Sequence, residues 1–328
     1  MRFILLLLFV IQTMMRGECQ NLPTGTGSFI FSRYSPFVGK PIRVFYHIPV
    51  GQTDSLPVLM ALHGDERDAQ AYVNDWISAA DQNGFMVFAP EFSEVNFPGG
   101  DGYNLANMFV DGDNPSAQTL IPDSLWTFSV LDPLFLDIKS RTGNISEGYV
   151  AFGHSAGAQF LSRFLLFKPE SRMQKAICAN AGWYTVPDRN VNFPYGLGLS
   201  PATEPGIKQA FGKNLLVLLG KLDTNPNSSG LRHNQQADAQ GLFRLARGRY
   251  FFAESEKIAT ALNTPLNWKL SEVAGVGHDH ALMAKNAVPF VLEAFSKPIP
   301  PVENADEANL TFSAEGVRIT DLQPSEKY

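Results

Sequence analysis

Residues 153–157 place a serine between two glycines, in the order Gly-His-Ser-Ala-Gly. Residues 148–152 before them read as a short buried strand, and residues 156–168 after them carry apolar side chains at helical spacing. This pattern predicts that Ser155 lies in a sharp turn between a strand and a helix, which lifts its hydroxyl out of the sheet. Such a hydroxyl can act as a nucleophile if a base accepts its proton and N–H groups stabilise the developing negative charge.

A serine hydroxyl needs a neighbouring base, and histidine suits this task near neutral pH. His278 stands in residues 274–280, a glycine-containing segment directly after the last predicted strand. Flanking glycines would let its ring reach a neighbouring strand end, so His278 is the predicted base. His280 is the rival candidate. His154 adjoins the serine, but in such a turn it is expected to point away and to be structural.

A serine and a histidine that act in this way need a third group, a carboxylate that holds the histidine in the correct tautomer and stabilises the imidazolium. The apolar strand 216–220 leads to Asp223, which would lie at the same edge of the sheet as Ser155. The order Ser, Asp, His along the chain agrees with this assignment. Asp188 is the next candidate, and a role for Asp223 as an ordinary turn or capping residue stays open.

Backbone N–H groups are expected to form the oxyanion hole. One is that of Ala156, at the start of the predicted helix, and the other is that of Asp65, which follows residues 63–64 (His-Gly) at a strand end.

Trp183 follows another strand and could offer a flat face to a substrate, although a role as a core residue is an equal alternative. Tyr103, in the long segment 91–123, is a weaker candidate.

Stretches of strand and helix character alternate along the chain. This predicts an α/β fold with a mostly parallel central sheet and helices on both faces. Strands are predicted at residues 43–49, 57–63, 84–90, 148–152, 174–181, 214–220 and 268–273, and helices at 68–83, 124–141, 156–168 and 279–296. Functional loops should then gather at the carboxyl ends of the strands.

The chain has 328 residues and a net charge of −6, with no basic run, which argues against a nucleic acid partner. Residues 1–19 have the features of a signal peptide, because Arg2 precedes a short apolar run that cannot span a bilayer. Cleavage is expected before Gln20. A lipid anchor on Cys19 is disfavoured, because Glu18 is not the small residue that a lipid-attachment motif requires. A secreted or periplasmic protein without a stable membrane anchor is therefore predicted.

Together the motifs resemble those of α/β-hydrolase-fold serine esterases, within the secreted polyhydroxyalkanoate-depolymerase and feruloyl-esterase-like group. The resemblance covers roughly residues 40–298. We expect a catalytic domain over residues 20–298 with no separate large cap domain, followed by a tail at 299–328 whose composition is polar. The resemblance implies hydrolysis of small or polymeric ester substrates through an acyl-enzyme, without a metal or an organic cofactor. A serine peptidase and a catalytically idle binding module stay open. The charged segment 65–68 departs from relatives, which often have cysteine or small polar residues there.

Overall fold

The computed structural model describes residues 21–296 and two short segments, 310–313 and 316–319. The predicted signal peptide therefore lies outside the described residues, as does most of the predicted tail. Within the tail, strands β9 (Leu310–Ser313) and β10 (Gly316–Ile319) pair in antiparallel fashion.

One sheet of eight strands forms the centre of the molecule. Its strands are β1 (Gly25–Phe31), β2 (Ile42–Ile48), β3 (Val58–Leu62), β4 (Met86–Glu91), β5 (Tyr149–His154), β6 (Met173–Ala179), β7 (Asn214–Gly220) and β8 (Trp268–Val273). The α-helices are α1 (Ala69–Asn74), α2 (Ile77–Asn83), α3 (Gly99–Gly102), α4 (Leu131–Thr142), α5 (Ala156–Phe167), α6 (Glu204–Gly212), α7 (Gln235–Ala239), α8 (Arg244–Ala261) and α9 (His280–Phe295). Short 3-10 helices span Ser35–Phe37, Asp123–Leu125 and Thr127–Val130.

The strand order is β1-β2-β4-β3-β5-β6-β7-β8. Strands β1 and β2 run antiparallel to their neighbours, whereas β4, β3 and β5 to β8 pair in parallel. The predicted mostly parallel α/β sheet is confirmed. All carboxyl ends of the parallel strands meet at one edge, where the predicted site residues follow β3, β5, β6, β7 and β8.

The central strands read as continuous apolar runs because both of their faces are covered. In β3, Met60 and Leu62 pack into the core layer on one face, and Leu59 and Ala61 pack into the layer on the other. Helix α5 is buried along almost its whole length. The strand and the helix that flank Ser155, β5 and α5, are thus both buried.

The helix predicted at residues 68–83 is instead two helices, α1 and α2, separated at Asp75 and Trp76. The ring of Trp76 is fully buried between Phe85 and Phe152. The carboxylate of Asp75 turns to the ring of His280, 2.6 Å away. These tertiary contacts interrupt a segment whose own pattern is continuously helical.

The helix predicted at residues 124–141 becomes α-helical only at Leu131, after two 3-10 turns. Pro133 lies in the first turn of α4, where its missing N–H costs no hydrogen bond. Strand β1 is absent from the predicted strands, because it is an edge strand whose first four residues, 25–28, are small or polar and in which only alternate positions are partly covered.

The segment 91–123 is not a solvent-exposed loop, since the core includes Phe97, Tyr103, Leu105 and Phe109. It packs onto the carboxyl edge of the sheet, and in the described part of the chain no connection forms a large cap of its own.

Residues 21–296 contain no helix with the length and apolar character needed to cross a membrane.

Candidate active site

Ser155 occupies the turn between β5 and α5 with φ 55° and ψ −114°, a backbone conformation that is costly for a residue with a side chain. The two glycines of the pentapeptide make this turn possible. A Cβ atom at Gly153 would overlap the carbonyl group of Gly157, and one at Gly157 would overlap the carbonyl oxygen of Leu62. Only glycine therefore lets the helix approach the sheet this closely.

The ring of His278 lies between the side chains of Ser155 and Asp223. Its Nε2 is 3.1 Å from Ser155 Oγ, so the hydroxyl can donate to it, and its Nδ1 is 2.8 Å from Asp223 Oδ2. With the proton on Nδ1 donated to the carboxylate, Nε2 is left free to accept the serine proton. The side chain of His278 is 25% exposed and that of Asp223 only 3%, so the carboxylate is shielded from solvent and the imidazole is partly open to it.

Arg244 supports Asp223 from the side away from the histidine. Its Nη1 lies 3.6 Å from Asp223 Oδ1, and both side chains are buried. The same guanidinium donates to Ser228 Oγ at 2.9 Å. Burial lowers the pKa of Arg244, and the nearby carboxylate opposes this effect. The carboxylate thus faces an imidazole on one oxygen and a buried guanidinium on the other.

The other two candidates have different partners. His280 begins α9 and binds Asp75, and its ring stacks on Tyr72 with 4.7 Å between centroids. The hydrogen bond to Asp75 raises the pKa of His280. Asp188 accepts from the backbone and the side-chain amide of Asn190 in a local turn.

His154 does not contact the serine hydroxyl, but it lies against the predicted base. Its ring centroid is 4.5 Å from that of His278, and its Nδ1 is 3.4 Å from the hydroxyl of Tyr72. Burial, with a smaller contribution from the neighbouring His278 and His280, holds the pKa of His154 well below its usual value. A neutral ring therefore packs against one side of His278.

The turn that follows β3 passes directly beside Ser155. A Cβ built on Gly64 would lie 3.7 Å from Ser155 Cβ, and Asp65 is the next residue. His63 anchors the turn: its Nε2 accepts from the Phe92 N–H at 3.0 Å, and its Nδ1 donates to the Gly64 carbonyl at 2.8 Å. On the other side of Ser155, Ala156 is the first residue of α5, where N–H groups have no partner within the helix.

The charged segment 65–68 divides into a buried and an exposed part. Arg67 is buried over the ring of Tyr103 and donates to the carbonyl oxygens of Phe92 and Gly99 at 2.5 and 3.0 Å. Tyr103 donates its hydroxyl to the His63 carbonyl at 2.8 Å, so it supports the turn from below. Asp65 and Glu66, the two residues that follow Gly64, are exposed.

Asp68, the last residue of this segment, accepts from the Ala71 N–H and caps α1. Sequence reasoning missed both Arg67 and Arg244, because their partners are distant in sequence and no local pattern marks them.

Trp183 follows β6, the strand next to β5, and has little free surface. The guanidinium carbons of Arg163 and Arg232 lie over its ring at 4.2 and 4.8 Å, and Tyr195 packs against it at 4.8 Å. Only 4% of the residue is exposed. This geometry favours the packing alternative, and a substrate-binding role for Trp183 stays a prediction. Tyr103 is fully buried beneath the turn.

Among the described residues, no group of three or more histidine, cysteine or acidic side chains has the arrangement of a metal site. The groups that the structure brings together at the site are a serine hydroxyl, an imidazole held by a buried carboxylate, and two backbone segments that flank the serine. Such an arrangement can transfer an acyl group to the serine and then to water.

Comparison with protein-family models gives no match, and comparison with curated proteins also gives none. Solved structures do match. Poly(aspartic acid) hydrolase-1 from Sphingomonas sp. KT-1 shares 35% identity at a TM-score of 0.78, over 83% of this chain and 100% of that chain. The poly(3-hydroxybutyrate) depolymerase LpqC from Bordetella parapertussis shares 27% identity at a TM-score of 0.77, over 83% of this chain and 90% of the other. An S-formylglutathione hydrolase from Agrobacterium tumefaciens, at 16% identity, a TM-score of 0.53 and coverage of 84% and 97%, shows similarity of fold alone.

Proposed function

The chain belongs to the α/β-hydrolase-fold serine esterases, and from this premise we propose that it is a serine carboxylic ester hydrolase with Ser155, His278 and Asp223 as its catalytic triad. The observation that carries the proposal is the unbroken chain of hydrogen bonds from Ser155 Oγ through His278 to Asp223. The strained backbone of Ser155 supports it, because such strain persists mainly where function requires it.

In the reaction, Ser155 Oγ attacks the ester carbonyl carbon while His278 Nε2 takes the hydroxyl proton. The imidazolium is stabilised by the carboxylate of Asp223. Collapse of the tetrahedral intermediate breaks the bond to the leaving alcohol, which receives the proton from Nε2, and leaves an acyl group on the serine. Water then attacks the acyl-enzyme, gives a proton to His278, and releases the acid as the serine regains its hydrogen.

The negative oxygen of each tetrahedral intermediate would be held by the N–H groups of Asp65 and Ala156. The turn containing Asp65 is anchored by His63, Tyr103 and Arg67, so it needs little rearrangement when charge develops. A preorganised donor of this kind contributes about a hundredfold to a thousandfold in rate.

The two similar structures are named for polymers joined by different bonds, amide in poly(aspartic acid) and ester in poly(3-hydroxybutyrate). Amide hydrolysis is therefore the second candidate, on the strength of the 35% identity. Asp65 and Glu66 are exposed and directly follow Gly64, whose backbone lies next to Ser155, and these two negative charges favour a neutral ester because a polyanion would be repelled there.

The test of the triad is Ser155→Ala, with Ser162→Ala as the matched control. Ser162 lies on α5, is buried, and donates only to the Gln159 carbonyl. We expect Ser155→Ala to lose activity on nitrophenyl esters by at least roughly a thousandfold and to lose labelling by a fluorophosphonate. Ser162→Ala should keep both. Residual activity of Ser155→Ala within tenfold of the parent would contradict the assignment, and a parent that is not labelled would indicate an idle fold.

A substrate panel separates the two bond types. Nitrophenyl esters and 3-hydroxybutyrate oligomers are compared with poly(aspartic acid) and peptide anilides, at equal concentrations of labelled sites. We expect the esters to be cleaved with the higher kcat/KM. Faster cleavage of the amides would replace the esterase proposal by the amidase one.

We also propose that the protein is exported after removal of residues 1–19. The support is the sequence of that segment, which has a basic start and a short apolar run. Mass spectrometry of protein expressed with its own leader should find Gln20 as the first residue. An intact leader, or a lipid on Cys19, would contradict the proposal.

A further inference from the structure

Asn180 directly follows β6 and binds the backbone of two other segments with its side chain. Its Oδ1 accepts from the Gly220 N–H at 2.7 Å, and its Nδ2 donates to the Gly277 carbonyl at 2.8 Å. Gly220 ends β7, three residues before Asp223, and Gly277 immediately precedes His278. One buried amide thus connects the segments that carry the acid and the base.

The nucleophile is tied to the same point of the sheet. The N–H of Ser155 donates to the carbonyl of Ala179 at 3.0 Å, and Ala179 is the last residue of β6. The N–H of Asn180 itself donates to the Leu218 carbonyl at 3.1 Å. The end of β6 is therefore hydrogen-bonded to Ser155 itself and to the strand that leads to Asp223, and through the Asn180 side chain to the residue before His278.

The backbone of Asn180 leaves the sheet here, with φ 50°. Strand β7 continues for two residues beyond Leu218, and the side-chain oxygen supplies the acceptor that Gly220 would otherwise find in a longer β6. Asparagine fits this position because it tolerates positive φ and offers an acceptor and a donor on one short side chain. Aspartate lacks the donor, and glycine keeps the conformation but lacks both groups.

We propose that Asn180 is a positioning residue that sets the separation of Asp223 and His278, and through it the approach of His278 to Ser155. This inference rests on the proposed function of the triad. Asn180 does not face the substrate in this role; it acts through the two backbone segments it joins. Because a displacement of about 1 Å in a catalytic group can cost about a hundredfold in rate, a loosened bridge should be visible in kcat.

Asn144 provides a matched control. It is also buried, donates through Nδ2 to the carbonyls of Thr53 and Leu56 at 3.2 and 2.8 Å, and accepts from the Ser146 N–H at 2.9 Å. It precedes β5, whereas Ser155 follows that strand. Asn144→Asp and Asn180→Asp therefore remove the same kind of donor from a buried bridge. Asn144 lies at the amino ends of the parallel strands and Asn180 at their carboxyl ends.

The experiment measures melting temperature, and kcat and KM on a nitrophenyl ester per site labelled by a fluorophosphonate. Both aspartate variants should melt at lower temperature than the parent. Only Asn180→Asp should lower kcat per labelled site, by at least about tenfold, with KM within about twofold of the parent. Asn180→Gly introduces no buried charge and keeps the positive φ, and it should show the same loss of kcat. If Asn180→Asp does not fold, the kcat of Asn180→Gly decides the test.

Parental kcat per labelled site in Asn180→Gly, or in a folded Asn180→Asp, would overturn the positioning role and leave Asn180 as a structural residue. An equal fall of kcat in Asn144→Asp would overturn it too, because the effect would then not depend on position. Failure of the proposed function is recognised separately, in the parent and in Ser155→Ala, by absent labelling or by retained activity.

Discussion

Acid should destabilise this protein through His63, the residue that anchors the turn beside Ser155. The His63 ring is fully buried, and burial, opposed in part by the hydrogen bond to Gly64, lowers its pKa to about 4 from the ordinary 6.5. Protonation would place a second N–H on Nε2, where the ring now accepts from the Phe92 N–H. The folded protein can therefore take up this proton only at the cost of a buried charge and a lost hydrogen bond.

The pKa values of His63 in the unfolded chain and in the folded protein decide the direction in which stability changes with pH. Between about pH 6.5 and 4 the unfolded chain carries the proton and the folded protein does not, so stability falls as the pH falls through this window. The values differ by about 2.5, and each pKa unit corresponds to about 1.4 kcal/mol, so the full effect is roughly 3 kcal/mol. About 2 kcal/mol of it should be lost by pH 5.

The assay is urea unfolding of the parent and of His63→Gln across this pH range. Glutamine can donate and accept hydrogen bonds but does not titrate. The pKa of His154 is lowered too, but His154 is present in both proteins, so its contribution is the same in each. Between about pH 7 and 5 the parent should lose roughly 2 kcal/mol more of its unfolding free energy than the variant. Above about pH 7.5 the two curves should run parallel. Parallel curves over the whole range would refute the reasoning, whatever the absolute stability of the variant.

Three further outcomes are expected. Gly157→Ala should yield no folded, active enzyme, as measured by circular dichroism and ester hydrolysis, because its Cβ would overlap the Leu62 carbonyl. Trp183→Ala should lower the unfolding free energy by roughly 3–5 kcal/mol while the kcat/KM ratio between a bulky and a small ester stays constant; a changed ratio at unchanged stability would restore the substrate-binding role. His280→Gln should be less stable than the parent below about pH 6.5, and the difference should fade as the pH rises through the raised pKa that Asp75 gives His280. A difference that grows with pH in urea unfolding would contradict this last expectation.

Local patterns in the sequence were enough for the fold class and for the principal candidates. The apolar runs of β3, β5 and β7 predict buried parallel strands, because both faces of such strands must be covered. The glycines around Ser155 predict the turn, because the close approach of helix and sheet excludes any Cβ atom. Strand order then predicts that Asp223 and His278 follow neighbouring strands, β7 and β8, at the edge that holds the serine.

The flanking glycines favour His278 over His280 as the base, but only the tertiary structure shows the partner of each ring. His278 and His280 are two residues apart, and contacts with other parts of the chain turn one to Asp223 and the other to Asp75. The interruption between α1 and α2 has the same origin, since Trp76 is buried by contacts from other elements.

The residues that hold the site in place could not be predicted from local sequence patterns either. The side chains of Arg67, Tyr103, Arg244 and Asn180 bind partners that lie from 15 to 97 residues away along the chain, and most of these bonds join separate loops. A buried polar residue is recognisable as such only when the groups that satisfy it are in place. The sequence by itself determined the chemical groups and the strands that present them, whereas the folded chain decided their orientation, because orientation depends on contacts that no short stretch of sequence contains.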